Sequence, residues 1–188
     1  MKKIAIVYHS GYGHTARQAE AVGLGVEQVS GVDAKLYPVE ALDDAAWQEL
    51  ADADAMIFGA PTYMGSVSAP FKGFMDASAK AWFGQAWKNK VAGGFTTSAS
   101  QSGDKLNSLL QMMVFANQHA MIWVGLDLPP GNNNSNGSVN DLNRLGSFSG
   151  AMAQANADQG AEGMLESDLQ TAARLGRRIA EISVSFAS

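Results

Sequence analysis

Continuous apolar runs alternate along the chain with stretches where apolar residues recur every three or four positions. Ile4-Ala5-Ile6-Val7-Tyr8 is unbroken and β-branched, the pattern of a strand covered on both faces. Ala19, Val22, Val26 and Val29 then fall on one helical stripe. Residues 34–39 alternate weakly, as an edge strand would, and Asp43 or Asp44 is placed to cap a short helix carrying Trp47 and Leu50. Residues 55–60 form a second fully apolar strand, and Pro70 opens a helix with Phe71, Phe74 and Met75 at helical spacing. Val91 to Thr96 is a third central strand whose two glycines permit close approach of a helix or ligand. Leu106, Leu109, Leu110 and Met113 mark a further helix, and residues 121–124 a last strand. Ser167 with Gln170 three positions on reads as a capping box opening a C-terminal helix.

Five strands alternating with five helices predict a doubly wound parallel α/β sheet with helices on both faces. Right-handed crossovers and a terminal helix suit the strand order 2-1-3-4-5. The 188 residues are expected to form a single domain. Residues 127–166 stand apart. They show little periodicity and contain Pro129-Pro130-Gly131 followed by an Asn/Ser/Gly tract. A loop this long in a compact domain is either functional or a surface insertion, and Phe148 and Met152 favour a lid or subunit contact.

Composition narrows the chemistry. With 46% hydrophobic and 16% charged residues the chain is not disordered as a whole, and a net charge of −5 argues against a nucleic-acid clamp. The absence of cysteine excludes disulfides, thiolate zinc sites, iron–sulfur clusters and cysteine nucleophiles, and no metal site is expected with 3 histidines. No apolar run is long enough to span a membrane, and the first one is too short for a signal peptide, so a cytoplasmic location is expected.

In open α/β sheets ligands bind beyond the carboxyl ends of the strands, where strand order reverses. The loop after the first strand has two readings. Gly11-x-Gly13-x-x-Ala16, with Glu40 after the next strand, matches a dinucleotide fingerprint. Ser10-x-x-Gly13-x-Thr15 is instead a nest for a phosphate monoester, held by N–H groups at a helix N-terminus and by two hydroxyls. A capped helix start with no ligand is the plainer alternative. The other two loops favour the monoester. The chain leaves no room for a second, substrate domain, whereas Tyr63 and Met64 can wall a flat ring and the Ser98–Gly103 backbone with Gln101 can meet its polar edge.

Taken together, Ser10-Gly11-Tyr12-Gly13-His14-Thr15, Pro61-Thr62-x-x-Gly65 and Thr96-Thr97-Ser98-Ala99-Ser100-Gln101 resemble the three FMN loops of the flavodoxin-like NAD(P)H:quinone oxidoreductases of the WrbA type. Lys72-Gly73-Phe74-Met75-Asp76 and His119-Ala120-Met121 extend the likeness over most of the chain. The resemblance implies a flavodoxin-like fold, one FMN per subunit and two-electron quinone reduction by NADH or NADPH. It also implies a homo-oligomer, dimer or tetramer, and an insertion that helps close the active site. The cofactor residues it implies are Ser10, Tyr12, Gly13, His14 and Thr15; Pro61, Thr62, Tyr63, Met64 and Gly65; and Thr97, Ser98, Ala99, Ser100, Gln101 and Gly103. His119 matches a family histidine near the flavin, with a catalytic role, and Trp82 a tryptophan of the substrate pocket.

Two departures bear on nicotinamide access and substrate preference. The second loop has Tyr63-Met64 where the family commonly has Arg followed by an aromatic, and the third has Ser102-Gly103-Asp104-Lys105 in place of a longer glycine run. No basic residue of the three loops awaits a 2′-phosphate, which leans the donor towards NADH. The alternatives are a flavodoxin-type electron carrier, a related FMN or azo reductase, and an adaptor that has lost its cofactor.

Overall fold

The structure is a computed structural model that describes residues 1–186. Strands β1 (Lys2–Tyr8), β2 (Val32–Pro38), β3 (Ala55–Tyr63), β5 (Val91–Ser98) and β6 (Ile122–Trp123) form a parallel sheet in the order β2-β1-β3-β5-β6. Between them, β4 (Ser66–Val67) folds back antiparallel on β3, and β7 (Ala151–Gln154) pairs with the outer half of β5. The fold is the flavodoxin-like doubly wound sheet that the apolar pattern predicts.

Strand alternation sorts the core into two layers. Ile4, Ile6, Ala55 and Ile57 face helices α1 (His14–Glu27) and α6 (Glu166–Ser185). Ala5, Val7, Met56, Phe58 and Ala60 face the other way, towards α2 (Asp44–Asp52), α3 (Ala69–Ala77) and α5 (Lys105–Gln118). A short helix, α4 (Ala79–Phe83), follows α3. Asp43 caps α2 as expected, its carboxylate accepting from the Ala46 N–H at 2.8 Å. Gly93 and Gly94 serve helices and neighbouring side chains, not a ligand. A Cβ on Gly93 would lie 2.4 Å from Ile179 of α6, and one on Gly94 would lie 2.7 Å from Trp123.

Three local expectations are corrected. The edge position beyond β5 is filled by two strands, because β6 has two residues and β7 supplies the rest. The stretch 127–166 is therefore not one loop. Its first part returns to the sheet where the Leu126 N–H donates to the Phe148 carbonyl. Secondly, α6 begins at Glu166 without a side-chain cap, since the Ser167 hydroxyl donates instead to the carbonyl of Val139. Thirdly, α5 is rotated by one residue from the predicted stripe. It buries Lys105, Ser108, Leu109, Met112, Phe115 and Ala116 and leaves Leu106 and Leu110 on the surface.

Candidate functional site

The strand register brings the three loops together. Tyr8 lies beside Gly59 and Pro61 beside Thr97, so the loops after β1, β3 and β5 emerge side by side at the carboxyl edge of the sheet. They border a cleft of about 860 Å³, a size suited to a cofactor.

The first loop turns into α1 through Gly13 at φ 90°, a conformation that suits glycine. None of the N–H groups from Gly11 to Thr15 has a protein acceptor among the described residues. Those of Gly13, His14 and Thr15 are orphan donors of a helix start, reinforced by the helix dipole, and those of Gly11 and Tyr12 are donors of the loop before it. Ser10 Oγ accepts the Ala16 N–H at 3.0 Å and keeps its own proton to donate, and Thr15 is buried against the cleft. His14 Nε2 lies 2.9 Å from the Gln159 carbonyl oxygen. Because that partner is an acceptor, the imidazole donates from Nε2.

The second loop is a hairpin. Thr62 pairs with Val67 and Tyr63 with Ser66, leaving Met64 and Gly65 as a two-residue turn with φ 49° and 76°. Two positive φ values make a type I′ turn, which costs Met64 backbone strain and sets its side chain wholly in solvent beside the cleft. Tyr63 leans across the phosphate-type loop, edge to face with Tyr12 at 6.4 Å between ring centres. The Thr62 hydroxyl is spent inside the protein. Thr96 Oγ1 donates to the Ala60 carbonyl, so Thr62 donates to Thr96 at 2.8 Å and receives from Ser108 at 2.7 Å. Thr62 therefore borders the cleft without a free hydroxyl.

The third loop is polarised. The Ser98 carbonyl accepts from the Ala155 N–H, that of Ala99 from Gln154 Nε2, and those of Ser100 and Gln101 from Lys105 Nζ. A peptide carbonyl and the next N–H point in opposite directions. Four carbonyls held from behind thus turn the following N–H groups outward, and none from Ala99 to Gly103 has a protein acceptor among the described residues. Gln154 is itself fixed. Its N–H donates to Asp168, which makes a buried two-pronged pair with Arg144 at 2.8 and 2.7 Å.

The chain's match to the model for NADPH-dependent FMN reductases covers residues 14–127, more than half of its length. The chain belongs to this flavodoxin-like family, in its WrbA-type branch. Within the family's wider circle it is 43% identical to the flavodoxin FldP of Pseudomonas aeruginosa over 185 residues, 97% of each chain. It is 32% identical to an NAD(P)H dehydrogenase (quinone) of Archaeoglobus fulgidus, covering 97% of this chain and 98% of that one. The crystal structure of a WrbA-like flavodoxin from Agrobacterium tumefaciens superposes with a TM-score of 0.78 at 40% identity, covering 98% and 99%.

Most of the residues that the family likeness selects line the cleft, but several do not. Ser10 and Gly13 shape the turn at its rim without lining it, and the Gln101 side chain is on the outside while its carbonyl holds Lys105. His119 and Trp82 are elsewhere. They meet in a second cleft, of about 660 Å³, between α3, α4 and α5. His119 follows the last residue of α5, and Lys105 at the helix's first residue touches the third loop. The fourteen-residue helix sets His119 about 20 Å from the third loop, and within one chain His119 does not line the three-loop cleft. It is buried against Trp87 and Phe115, with Nε2 2.9 Å from Ser78 Oγ. Burial without a counter-charge pushes it down to about 4 and keeps it neutral.

Sequence reasoning missed Ala155, Ala157, Gln159 and Gly160, which complete the cleft. They follow β7, a strand that no apolar run announces. Within the 127–166 stretch, expected as a lid or subunit contact, Val139 and Asn143 are anchored against α6, through Val139 to Ser167 and through the Asn143 N–H to Thr171, while residues 155–160 border the cleft.

Proposed function

We propose that this chain binds FMN in the three-loop cleft and reduces quinones with NAD(P)H as an FMN-dependent oxidoreductase. The observation that carries the reading is that two N–H cradles without protein acceptors, Gly11–Thr15 and the third loop's Ala99, Ser100 and Gly103, border one cleft. The first suits a doubly charged phosphate monoester and the second the acceptor-rich edge of a flat heterocycle.

FMN, when bound, supplies hydride transfer between a nicotinamide and a quinone, for a net reaction in which NAD(P)H, a proton and a quinone give NAD(P)⁺ and a hydroquinone. The chain's own residues bind and orient. The Gly11–Thr15 N–H groups with the Ser10 and Thr15 hydroxyls would hold the phosphate. The Ala99, Ser100 and Gly103 N–H groups would fix the polar edge of the ring, with Tyr63 and Met64 as its wall. The His14–Gln159 contact would close the loop after β7 over the phosphate. No side-chain nucleophile is needed.

The likeness to a flavodoxin at 43% identity favours a second reading, an electron carrier with the same cofactor. One anaerobic experiment separates them. Protein loaded with FMN is mixed with NADH or NADPH and its visible spectrum recorded. Bleaching, then recovery on adding benzoquinone, supports the oxidoreductase. Flavin that binds but is reduced by neither nucleotide supports the carrier, and no flavin binding overturns both.

A further inference from the structure

Lys105, the first residue of α5, is fully buried. Its ammonium spends all three protons on the third loop, at 2.8 Å from Ser98 Oγ, 2.6 Å from the Ser100 carbonyl and 2.9 Å from that of Gln101. Buried ammonium groups are normally paired with a carboxylate. Lys105 makes no such pair among the described residues. Asp168 is the acidic group acting on it from α6, but that carboxylate is committed to Arg144. Asp104, the neighbouring acid, also borders the cleft, but it is exposed and screened by water, whereas Lys105 is buried. Arg144 and Asp168 cancel, and one buried positive charge remains directly behind the N–H cradle. Burial lowers Lys105 to about 8, which leaves it charged at neutral pH.

Fastening two carbonyls and a hydroxyl does not require a charge, since a neutral amide could donate to two of them without the cost of desolvating an ammonium. What the charge adds is a field across the loop.

We infer that Lys105 is a positioning residue whose buried charge, acting through the Ser98–Gln101 loop, stabilises the negative charge a flavin ring gains on accepting a hydride, and so commits the site to two-electron transfer. This rests on the FMN reading above. A hydride carries two electrons and one proton from the dihydronicotinamide, which leaves oxidised, to a neutral ring, which becomes a monoanion. One electron with one proton would leave the ring neutral. A cation behind its acceptor edge therefore favours the two-electron product over the one-electron form.

The test is an anaerobic reductive titration of FMN-loaded protein, wild type against Lys105→Gln, following both one-electron potentials and the amount of one-electron form. The inference predicts that Lys105→Gln binds oxidised FMN, lowers the potential of the second electron and raises the equilibrium constant for forming the one-electron state on the order of tenfold. Lys105→Arg should restore wild-type potentials. Lys105→Met, which keeps the apolar stem, replaces the Gln variant if that fails to fold. Unchanged potentials in a neutral variant that binds FMN overturn the inference and leave the FMN reading standing. So does loss of folding in both neutral variants with Arg folded, which makes Lys105 a structural staple. A wild type that binds no FMN overturns the reading and the inference together.

Discussion

His14 and Gln159, 145 positions apart, are joined by a 2.9 Å hydrogen bond from the imidazole Nε2 to the main-chain carbonyl oxygen. The bond closes the segment after β7 onto the start of α1, so the two ends of the chain's ligand-binding edge meet at the phosphate-type loop. Both partners are on the surface, and a hydrogen bond of this kind contributes about 1 kcal/mol. His14→Ala should therefore lower the melting temperature by no more than about 2–4 °C and speed FMN release roughly fivefold. Stopped-flow release kinetics measure it, and an unchanged rate would mean that the clasp does not cover the ligand.

Met64 holds φ 49° at the hairpin tip, a conformation that costs a non-glycine residue about 1–2 kcal/mol. Met64→Gly relieves that strain, offset by glycine's greater freedom when unfolded. Urea unfolding of the apoprotein should give a stability within about 1 kcal/mol of wild type or above it. The same variant should bind FMN more weakly, because the exposed thioether would no longer wall the ring. Unaltered affinity would remove Met64 from the site.

Asp168 receives Arg144 at two oxygens and the Gln154 N–H at one of them, all away from water. Asp168→Ala leaves a buried guanidinium unpaired and should destabilise the fold by about 3–5 kcal/mol in chemical denaturation. It should also loosen Gln154 and the end of β7, seen as faster exchange of the Ala155 N–H that donates to the Ser98 carbonyl. A loss below 1 kcal/mol would show that the pair is replaceable by water.

His119 stays neutral when folded down to pH about 4, whereas the unfolded chain binds its proton near pH 6.5. Between those values the unfolded state holds more protons, so stability falls as pH drops from 6.5 towards 4. The loss from this one group is on the order of 3 kcal/mol. Melting curves at stepped pH should show His119→Asn losing less stability than wild type over that window. Equal slopes would assign the acid sensitivity to other groups.

Apolar runs made the central strands legible, because β1, β3 and β5 are buried on both faces and need no alternation. The phase of α5 was not legible. Two of its inward positions are Lys105 and Ser108, polar residues whose burial is explained by partners on other elements. The capping box at Ser167 has the right spacing, but its hydroxyl is claimed by Val139 from a segment distant in sequence. β7 escaped because Ala-Met-Ala-Gln carries a weak pattern and gains its place from pairing with β5. In the site, loop position was readable while side-chain use was not. Thr62 and Gln101 stand at the expected places, yet one spends its hydroxyl in the core and the other turns its side chain outward.

If Gly11–Thr15 is a phosphate nest serving a flavin, paired titrations of the apoprotein with FMN and riboflavin isolate its contribution. The two ligands share the ring and differ by the phosphate. FMN should bind at least 100-fold more tightly, on the order of 3 kcal/mol from the phosphate. Ser10→Ala with Thr15→Ala should narrow that gap while leaving riboflavin binding almost unchanged. Equal affinity for the two flavins, or a gap untouched by the double substitution, would contradict the assignment.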